Sequence, residues 1–271
     1  MDITENGTYN LLGKIITVNV KGGGSIPNNK IWYTSSDENI VKPNNTSALP
    51  TIVSNTYSAG KGVIKCASDI TSIGDNAFFD CTNLTSIEIP NSVTSIGDNA
   101  FYYCTGLTSI EIPNSVTSIG NQAFNYCNGL TSIIIPNSVT SMGNYPFAYC
   151  SGLTNIVVED GNHSYDSREN CNAIIETPHH YLVAGCRNTI IPNSIKHIQT
   201  DAFAGCSDLT SIEIPNSVTD IGPGAFEDCS SLSSISYTGT ISQWNAITKV
   251  SGWNSRVPAT VVHCTDGDVP I

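Results

Sequence analysis

Apolar and polar positions along this chain follow a pattern that returns every 23 residues. The apolar positions of one unit are Ile73, Ala77, Phe78, Cys81, Leu84, Ile87 and Ile89, followed by Pro90. They recur without an insertion through four units, ending at Val158. Self-similarity at this period predicts a solenoid, because a single unit cannot bury its own apolar face and depends on stacked neighbours.

Each unit contains one pattern typical of a strand and one typical of a helix. Residues 86–89 alternate polar and apolar side chains, which predicts a half-buried strand, parallel to its neighbours, with Ile87 and Ile89 inward. On the other side, the segment 77–81 places its apolar residues on one face of a helix of about two turns. Preferred N-cap residues stand at the start of that segment: Asp75, Asp98, Asn121, Asn144 and Thr200. The sequence thus predicts an α/β coil.

The repeat is interrupted once. Val158 and Ile191 occupy the same strand position, but 33 residues separate them where 23 are expected. Two β-rich runs, residues 172–176 and 181–184, flank a turn at residues 177–180. This arrangement predicts a β-hairpin on the helix side of the irregular coil.

The patterns divide the chain into six segments. These are a lead segment (1–24), an N-terminal β-rich cap with a first strand (25–69), regular repeats (70–159), the irregular hairpin-bearing repeat (160–192), regular repeats (193–237) and a C-terminal cap (238–271). Caps are expected because an end coil would otherwise expose its apolar face and an unpaired strand edge.

The N-terminal cap is predicted to contain strands at residues 30–34, 40–42, 51–54 and 63–66. In the last of these, Ile64 and Cys66 take the strand positions of Ile87 and Ile89, so this strand should be the first of the parallel stack. The lead segment alternates at Ile16, Val18 and Val20 and is followed by a flexible glycine joint at residues 22–24.

The C-terminal cap is predicted to contain a helix that starts near Ser242 and a hairpin turn at Asp266-Gly267. Trp244 and Trp253 should cover the exposed end of the last coil. Burial is the expected role of both tryptophans, and binding is the alternative.

Composition and charge narrow the classes of partner. The net charge is −12 with only 11 Lys and Arg residues, which argues against nucleic acid and anionic membrane, because both require clustered positive charge. No apolar run approaches the roughly 18 residues of a membrane span, so no membrane insertion is expected. The first residues do not resemble a secretory signal, which leaves an intracellular chain or one whose leader has been removed.

The cysteines occupy mainly one repeat position. Cys81, Cys104, Cys127, Cys150, Cys206 and Cys229 recur beside the Phe and Leu of each unit, where a free Cys acts as a small buried apolar residue. The spacing lacks the paired ligands of a zinc site, so neither a metal nor another cofactor is expected. Cys66, Cys171, Cys186 and Cys264 lie off this position, and a disulfide between Cys171 and Cys186 is left open.

Two candidate partner-binding surfaces follow from the repeat positions. The outward strand positions carry Glu88, Glu111, Ile134, Val157 and Glu213, with the companions Ser86 and Ser109. Neighbouring like charges disfavour folding and so favour a cationic partner, although a solvated face copied by repeat duplication is the plainer interpretation. On the helix side, Tyr103, Tyr126 and Tyr149 share one position and should form an aromatic ladder, either for binding or simply for stacking.

No catalytic site is predicted. The reactive residue types concentrate in the irregular coil, namely His163, Asp166, Cys171, His179 and His180. A Cys-His nucleophilic pair needs an orienting third group, and this sequence pattern indicates none.

The unit I-G-x-x-A-F-x-x-C-x-x-L-x-x-I-x-I-P, over about residues 61–237, resembles the BspA-like leucine-rich repeat family, also called the Treponema pallidum type. The acidic-Gly-Asn segment at residues 159–162 before the hairpin is similar to a variant unit of that family. The resemblance implies a right-handed leucine-rich repeat solenoid, displayed on a bacterial cell surface or secreted, that adheres to host matrix or cell-surface proteins. A glycan ligand is a further possibility. The alternative function is a structural spacer or stalk that projects another domain.

Overall fold

The computed structural model describes residues 7–11, 14–18 and 26–271. Within them the chain forms a β-solenoid of about eight turns, with repeats about 23 residues apart and little helix. The solenoid predicted from the repeat is therefore confirmed. Before it, strands Gly7–Leu11 and Lys14–Val18 pair antiparallel, while the predicted glycine joint at residues 22–24 lies outside the described residues.

Each coil contributes one long strand to the first side of the solenoid. These strands are Leu84–Glu88, Ser109–Glu111, Ser132–Ile135, Asn155–Val158, Ser211–Ile214 and Ser234–Tyr237. Three successive pairs, 84–88 with 109–111, 132–135 with 155–158 and 211–214 with 234–237, are parallel with residues of the same repeat position opposite each other, as Glu88 is opposite Glu111. Strand Ser132–Ile135 shows the expected alternation, with Ile133 and Ile135 buried and Ser132 and Ile134 turned outward.

A second, shorter strand forms another side of each coil. These strands are Ser72–Ile73, Ser95–Ile96, Ser118–Ile119 and Ser141–Met142, followed by His197–Ile198, Asp220–Ile221 and Thr248–Lys249. They pair in parallel in two groups, one on each side of the irregular coil. The corner that leads into this side is fixed by a row of threonines, where the Oγ1 of Thr117 donates to the carbonyl of Thr94 at 3.2 Å.

The third side of each coil is a turn, and the helix predicted there is wrong. The amide of Asn76 donates to Asp98 O, and the amide of Phe78 donates to Ala100 O in the next coil. The alternate amides bond within the same turn: the amide of Ala77 donates to Gly74 O, and the amide of Phe79 donates to Asn76 O. A helix would keep all of these bonds internal. Half of the amides instead join one coil to the next, which requires positive φ at Asn76 and at Asp80.

The predicted N-cap residues form a ladder between coils, because there is no helix for them to cap. The Oδ1 of Asp75 accepts from the amide of Asp98 at 2.8 Å, and the Oδ1 of Asp98 accepts from the amide of Asn121 at 2.7 Å. The Oδ1 of Asn121 accepts from the amide of Asn144 at 2.9 Å. Short polar side chains are required here for a bond to the following coil.

The interior is built from rows of identical residues. Phe78, Phe101, Phe124 and Phe147 stack with ring centroids 5.3 Å apart, and Phe203 stacks on Phe226 at 5.0 Å. The buried thiols follow the same rule, since Cys127 Sγ donates to Phe101 O at 3.2 Å in the preceding coil. The role expected for these cysteines, a small buried residue, agrees with these contacts.

The N-terminal cap is a sheet with the strand order Ile52–Ser58, Lys61–Cys66, Lys30–Ser35, Leu84–Glu88 and Ser109–Glu111. Strand Lys30–Ser35 lies antiparallel between Lys61–Cys66 and the first long strand. The prediction that residues 63–66 begin the parallel stack is therefore wrong, although Ile64 and Cys66 are fully buried. A strand expected at residues 40–42 is also absent from the described residues.

The irregular coil contains strands Tyr165–Asp166, Ala173–Glu176 and Tyr181–Gly185. The last two form the predicted antiparallel hairpin, but the hairpin lies in the short-strand sheet next to His197–Ile198 and not on the turn side. Its two faces are buried against different groups of residues, with Ile174 in the N-terminal core and Ile175 in the C-terminal core. The hairpin divides the interior into two cores.

The C-terminal cap contains Ile241–Ala246, the α-helix of the described residues, with Thr240 as its N-cap. Strands Val261–Cys264 and Gly267–Pro270 form the predicted hairpin. Trp244 and Trp253 are both buried, as expected for residues that cover the last coil. Short 3-10 turns occur at Thr46–Ala48 and Arg168–Asn170. No helix in the described part of the chain is long and apolar enough to cross a membrane.

Candidate functional site

The outward side chains of the long strands form one continuous surface, which we call the strand face. Its outer row contains Trp32, Glu88, Glu111, Ile134, Val157, Glu213, Ser236 and His263. A companion row of small polar residues runs beside it: Ser86, Ser109, Ser132, Asn155, Ser211 and Ser234. The structure thus places all the strand residues that the sequence indicated as candidates on one face, with Trp32 at one end of the outer row and Ser236 and His263 at the other.

The N-terminal part of the strand face is acidic and aromatic. Glu88 lies opposite Glu111 on one side and opposite Trp32 on the other, and both carboxylates are exposed. The Nζ of Lys61 lies 3.2 Å from the centroid of the Trp32 ring, an arrangement that a cation–π attraction favours. The face of the Trp32 ring beside Glu88 is therefore already covered by a cationic group of this chain, the ammonium of Lys61.

The middle of the strand face is apolar over three successive coils. Ile134 is 38% exposed, Val157 is half-buried, and Ile190 is 74% exposed. Ile190 was not among the residues selected from the sequence. The alignment of Ile191 with Val158 would have identified it, because the preceding residue must then lie next to Val157. Adjacent exposed apolar side chains of this kind mark contact surfaces more often than isolated ones do.

The irregular coil interrupts the long-strand sheet at this point. Strand Asn155–Val158 ends one sheet and strand Ser211–Ile214 begins another, so residues 187–191 cross the strand face without forming a strand. A shallow groove of about 190 Å³ results, lined by Thr189, Ile190, Ile191, Ser211, Ile212, Glu213, Ser234 and Ser236.

The tyrosines of the turn side form a short stack. Tyr126 and Tyr149 are parallel with ring centroids 4.4 Å apart, whereas Tyr103 is tilted against Tyr126 at 5.7 Å. Tyr103 is 44% exposed and the other two are half-buried. The ladder expected from the sequence therefore contains one parallel pair and one tilted ring.

The stack ends against the C-terminal coils. Gly205 takes the repeat position of the tyrosines in the coil after the hairpin. A Cβ at Gly205 would lie 2.6 Å from Tyr149 Cα, which explains why this position holds glycine. Beyond it, Arg256 makes ion pairs with Glu227 at 2.7 Å and Asp228 at 2.8 Å. Burial and the nearby carboxylate of Glu227 raise the pKa of Tyr149, so this phenol stays protonated. These contacts favour a stacking role for Tyr149.

The reactive residues of the irregular coil do not form a catalytic arrangement. Cys171 is buried, and burial raises its pKa to about 11, so its thiol is a poor nucleophile. Arg168 pairs with Asp166 and contacts His180 Nδ1 at 2.9 Å. Burial alone would raise the Asp166 pKa, but hydrogen bonds from Arg168 hold it below its ordinary value. These contacts fix the loop before the hairpin.

Neither a disulfide nor a metal cluster is found among the described residues. All ten cysteines lie in that part of the chain and are free thiols, including Cys171 and Cys186. No group of three or more His, Cys, Asp and Glu side chains there could hold a metal ion. Burial raises the pKa of Cys81, Cys150 and Cys229 to about 12, so these thiols are unreactive at neutral pH.

The fold and its long outward sheet define a leucine-rich repeat solenoid. The family model of the BspA type leucine-rich repeat region matches six copies, over residues 54–174 and 173–248. The chain belongs to this BspA-type family. Leucine-rich repeats generally mediate protein–protein interaction, and proteins built from them are generally non-catalytic scaffolds.

Three solved structures of leucine-rich repeat proteins are similar to this chain in part of its sequence. A leucine-rich repeat protein from T. pallidum is 27% identical, with 62% of this chain and 64% of that chain covered and a TM-score of 0.39. One from Bacteroides capillosus is 32% identical over 42% of this chain and 79% of that chain, with a TM-score of 0.32.

A leucine-rich cell surface protein from Faecalibacterium prausnitzii is 22% identical over 83% of this chain and 97% of that chain, with a TM-score of 0.26. The match spans less than two thirds of the T. pallidum protein. None of the curated proteins matches the chain.

Proposed function

We propose that this chain is a non-catalytic recognition module, displayed on a cell surface or secreted, that binds host matrix or cell-surface proteins through its strand face. The observation that carries the proposal is the outer row of that face. Its apolar residues Ile134 and Val157, together with Ile190 of the crossing segment, lie between the acidic residues Glu111 and Glu213. An apolar centre with a charged rim is the usual composition of a protein-binding surface.

The charge of the chain supports a basic or neutral partner. Its net charge of −12 attracts cationic surfaces over several ångströms and repels acidic ones. Glu88 and Glu111 also lie opposite each other on adjacent strands, which places two carboxylates on the part of the face that a basic partner would contact.

The tyrosine stack is the second candidate surface. Tyr103 is its most exposed ring and could pack against a protein side chain or the face of a sugar ring. Tyr126 and Tyr149 would support that ring through their own stacking.

The test is a binding screen of the full chain against immobilised collagen, fibronectin and laminin and against a glycan array, at physiological salt. The double variant Glu88→Lys/Glu111→Lys reverses the acidic part of the strand face. The matched control Glu38→Lys/Asp69→Lys changes the same net charge at exposed positions that lie in loops outside the strands.

We expect saturable binding to a matrix protein that the first variant abolishes and the control retains. Circular dichroism and thermal unfolding check that both variants keep the fold. Binding that survives the charge reversal contradicts the strand face and directs attention to Tyr103. Absence of saturable binding across both panels contradicts recognition and leaves the alternative, a spacer or stalk that projects another domain.

A further inference from the structure

The break in the long-strand sheet creates a site that the regular coils lack. Residues 187–191 lie between two strands that would be neighbours in an unbroken solenoid. On one side, Asn188 Nδ2 donates to Thr154 O at 3.0 Å. On the other, Arg187 Nη1 makes an ion pair with Asp208 at 2.8 Å. These two contacts hold the crossing segment in place and leave Ile190 exposed between the sheets.

The groove next to Ile190 has the size of one side chain. Its volume is about 190 Å³, below the roughly 300–1,000 Å³ of pockets for small organic ligands. Ile190, Ile191 and Ile212 supply apolar surface to its lining. A long side chain with an apolar stem fits this lining better than a compact polar ligand does.

Three polar side chains of the groove are unused within the described part of the chain, whereas the Thr189 hydroxyl bonds to Asn172 O. Glu213 is exposed and has no hydrogen-bond or ion-pair partner there, and the side-chain hydroxyls of Ser211 and Ser234 make no hydrogen bond to described residues. Ser236 Oγ makes one long bond of 3.5 Å to Ile212 O. A carboxylate surrounded by hydroxyl groups can accept several charge-assisted hydrogen bonds from a cation.

We propose that this groove binds a lysine or arginine side chain of an extended partner segment, with the stem against Ile190 and the cationic head at Glu213. Long basic side chains commonly bury their stem on apolar surface while the charged end stays in water. The proposal rests on the proposed function, because it takes the strand face as the surface that the partner contacts.

The rest of the outer row defines what lies beside that basic residue. From Glu111 to Glu213 the strand face passes Ile134, Val157 and, in the crossing segment, Ile190; at about 4.8 Å for each coil this distance is about 19 Å. An extended peptide covers this distance in about six residues and turns every second side chain to the same side. The matching segment therefore has a basic residue at the Glu213 end and apolar residues at alternate positions beside it.

A peptide of sequence KSVSVSK, acetylated and amidated at its ends, has this pattern in both chain directions. Fluorescein-labelled KSVSVSK is titrated with the full chain and followed by anisotropy, together with ESVSVSE, which reverses the charges, and KSSSSSK, which removes the apolar residues. The variants are Glu213→Gln and Ile190→Ser. Glu38→Gln is the matched control, since it removes the same charge at an exposed turn position outside the strands.

We expect KSVSVSK to bind at least tenfold more tightly than either comparison peptide. Glu213→Gln and Ile190→Ser should each weaken that binding about tenfold, and Glu38→Gln should change it less than twofold. Unchanged binding in both groove variants, equal binding of ESVSVSE, or no binding of KSVSVSK would each overturn the proposal. If the peptide fails while a matrix protein still binds and loses binding in Glu88→Lys/Glu111→Lys, only the groove proposal is overturned.

Discussion

In the regular coils between residues 70 and 158, each residue of the repeat contacts its own copy in the next coil. Phenylalanine stacks on phenylalanine, and each Asp or Asn at the start of the turn accepts from the next amide. In the irregular coil between residues 159 and 192, these rows stop, and a hairpin with two buried faces takes their place. Only the turn side continues directly across it, where Tyr149 N donates to Ala204 O at 2.7 Å.

The two regions contribute differently to stability and to the surface that a partner could contact. Identical interior rows give similar interfaces between the regular coils, while their outer row changes from Glu88 and Glu111 to Ile134 and Val157. The irregular coil cannot continue those rows, and it exposes Ile190 and opens the groove at Glu213. A one-dimensional repeat thus acquires its groove where the periodicity fails, next to an outer row that already varies from coil to coil.

The largest effect is expected from cutting the phenylalanine row. Phe124 is fully buried and stacked on both sides, so Phe124→Ala should lower the free energy of unfolding by about 3–5 kcal/mol. Phe203 is equally buried but stacks only on Phe226, so Phe203→Ala should cost less by about 1 kcal/mol, the value of one aromatic pair. Urea unfolding of both variants measures the difference, and equal losses would contradict a role for stacking.

Filling the contact between the hairpin and the next coil should have the second largest effect. A Cβ at Gly185 would lie 2.2 Å from Phe203 Cε1, so Gly185→Ala should destabilise the protein by about 1–3 kcal/mol through overpacking. Adding Phe203→Leu makes room for the methyl group. The double variant should therefore lose less than the sum of the two single losses in urea unfolding, and simple additivity would show that the two sites do not touch.

Removing a hydrogen-bond acceptor from the row of Asp and Asn residues that joins the regular coils should have the third largest effect on stability. Asp98→Ala removes the bonds from the amide and the side chain of Asn121 and should lower the free energy of unfolding by about 1–2 kcal/mol. Asp98→Asn keeps the acceptor, as Asn121 does toward Asn144, and should stay within about 0.5 kcal/mol of the parent in thermal unfolding. A larger loss in the Asn variant would mean that charge, and not the hydrogen bond, stabilises the row.

The smallest effect concerns a carboxylate next to the irregular coil. Burial and the charge of Glu227 raise the pKa of Asp201 to about 6. The folded state therefore binds a proton between about pH 4 and 6 that the unfolded state releases, so stability should fall as pH rises through this window.

Asp201→Asn should remove that pH dependence and stabilise the protein at pH 7 by about 1 kcal/mol. This gain is smaller than the pKa shift alone would give, because Asp201 is only half-buried and solvent screens its charge. Asn also tolerates the positive φ of this position. Thermal unfolding from pH 4 to 8 measures both effects, and a parallel pH profile in the variant would contradict this origin.

The elements that depend on a short period were predictable from the sequence. Alternation in residues 86–89 and their copies located the long strands and their outward rows, and the 33-residue interval located the hairpin. Trp244 and Trp253 were correctly expected in the C-terminal core. Each of these predictions uses information carried by neighbouring residues or by the repeat itself.

The turn side could not be predicted in the same way, because the spacing of Ala77, Phe78 and Cys81 suits a helix and a turn equally well. The choice depends on where the amides of residues 76, 78 and 80 find acceptors, and those acceptors belong to the next coil. A weak signal was present in Asn76 and Asp80, since Asn and Asp are the residues that most readily adopt positive φ after glycine.

The strand order of the N-terminal cap could not be predicted from the sequence for a related reason. Residues 63–66 match the repeat in sequence, but strand Lys30–Ser35 lies between them and the first coil. Antiparallel insertion of a strand from about 30 residues earlier leaves no mark in a local pattern. The outward position of Ile190, in contrast, followed from the register and was available from the sequence.

The equal spacing of the coils also determines how the molecule would lengthen under mechanical load. Each regular coil holds 23 residues, contacts only its neighbours, and would release about 80 Å of extended chain when it detaches under tension. The irregular coil holds 33 residues and would release about 115 Å. When the chain is pulled from both ends, its extension should therefore increase in equal steps as the regular coils detach, with one longer step for the irregular coil. That longer step would mark the loss of the groove at Glu213.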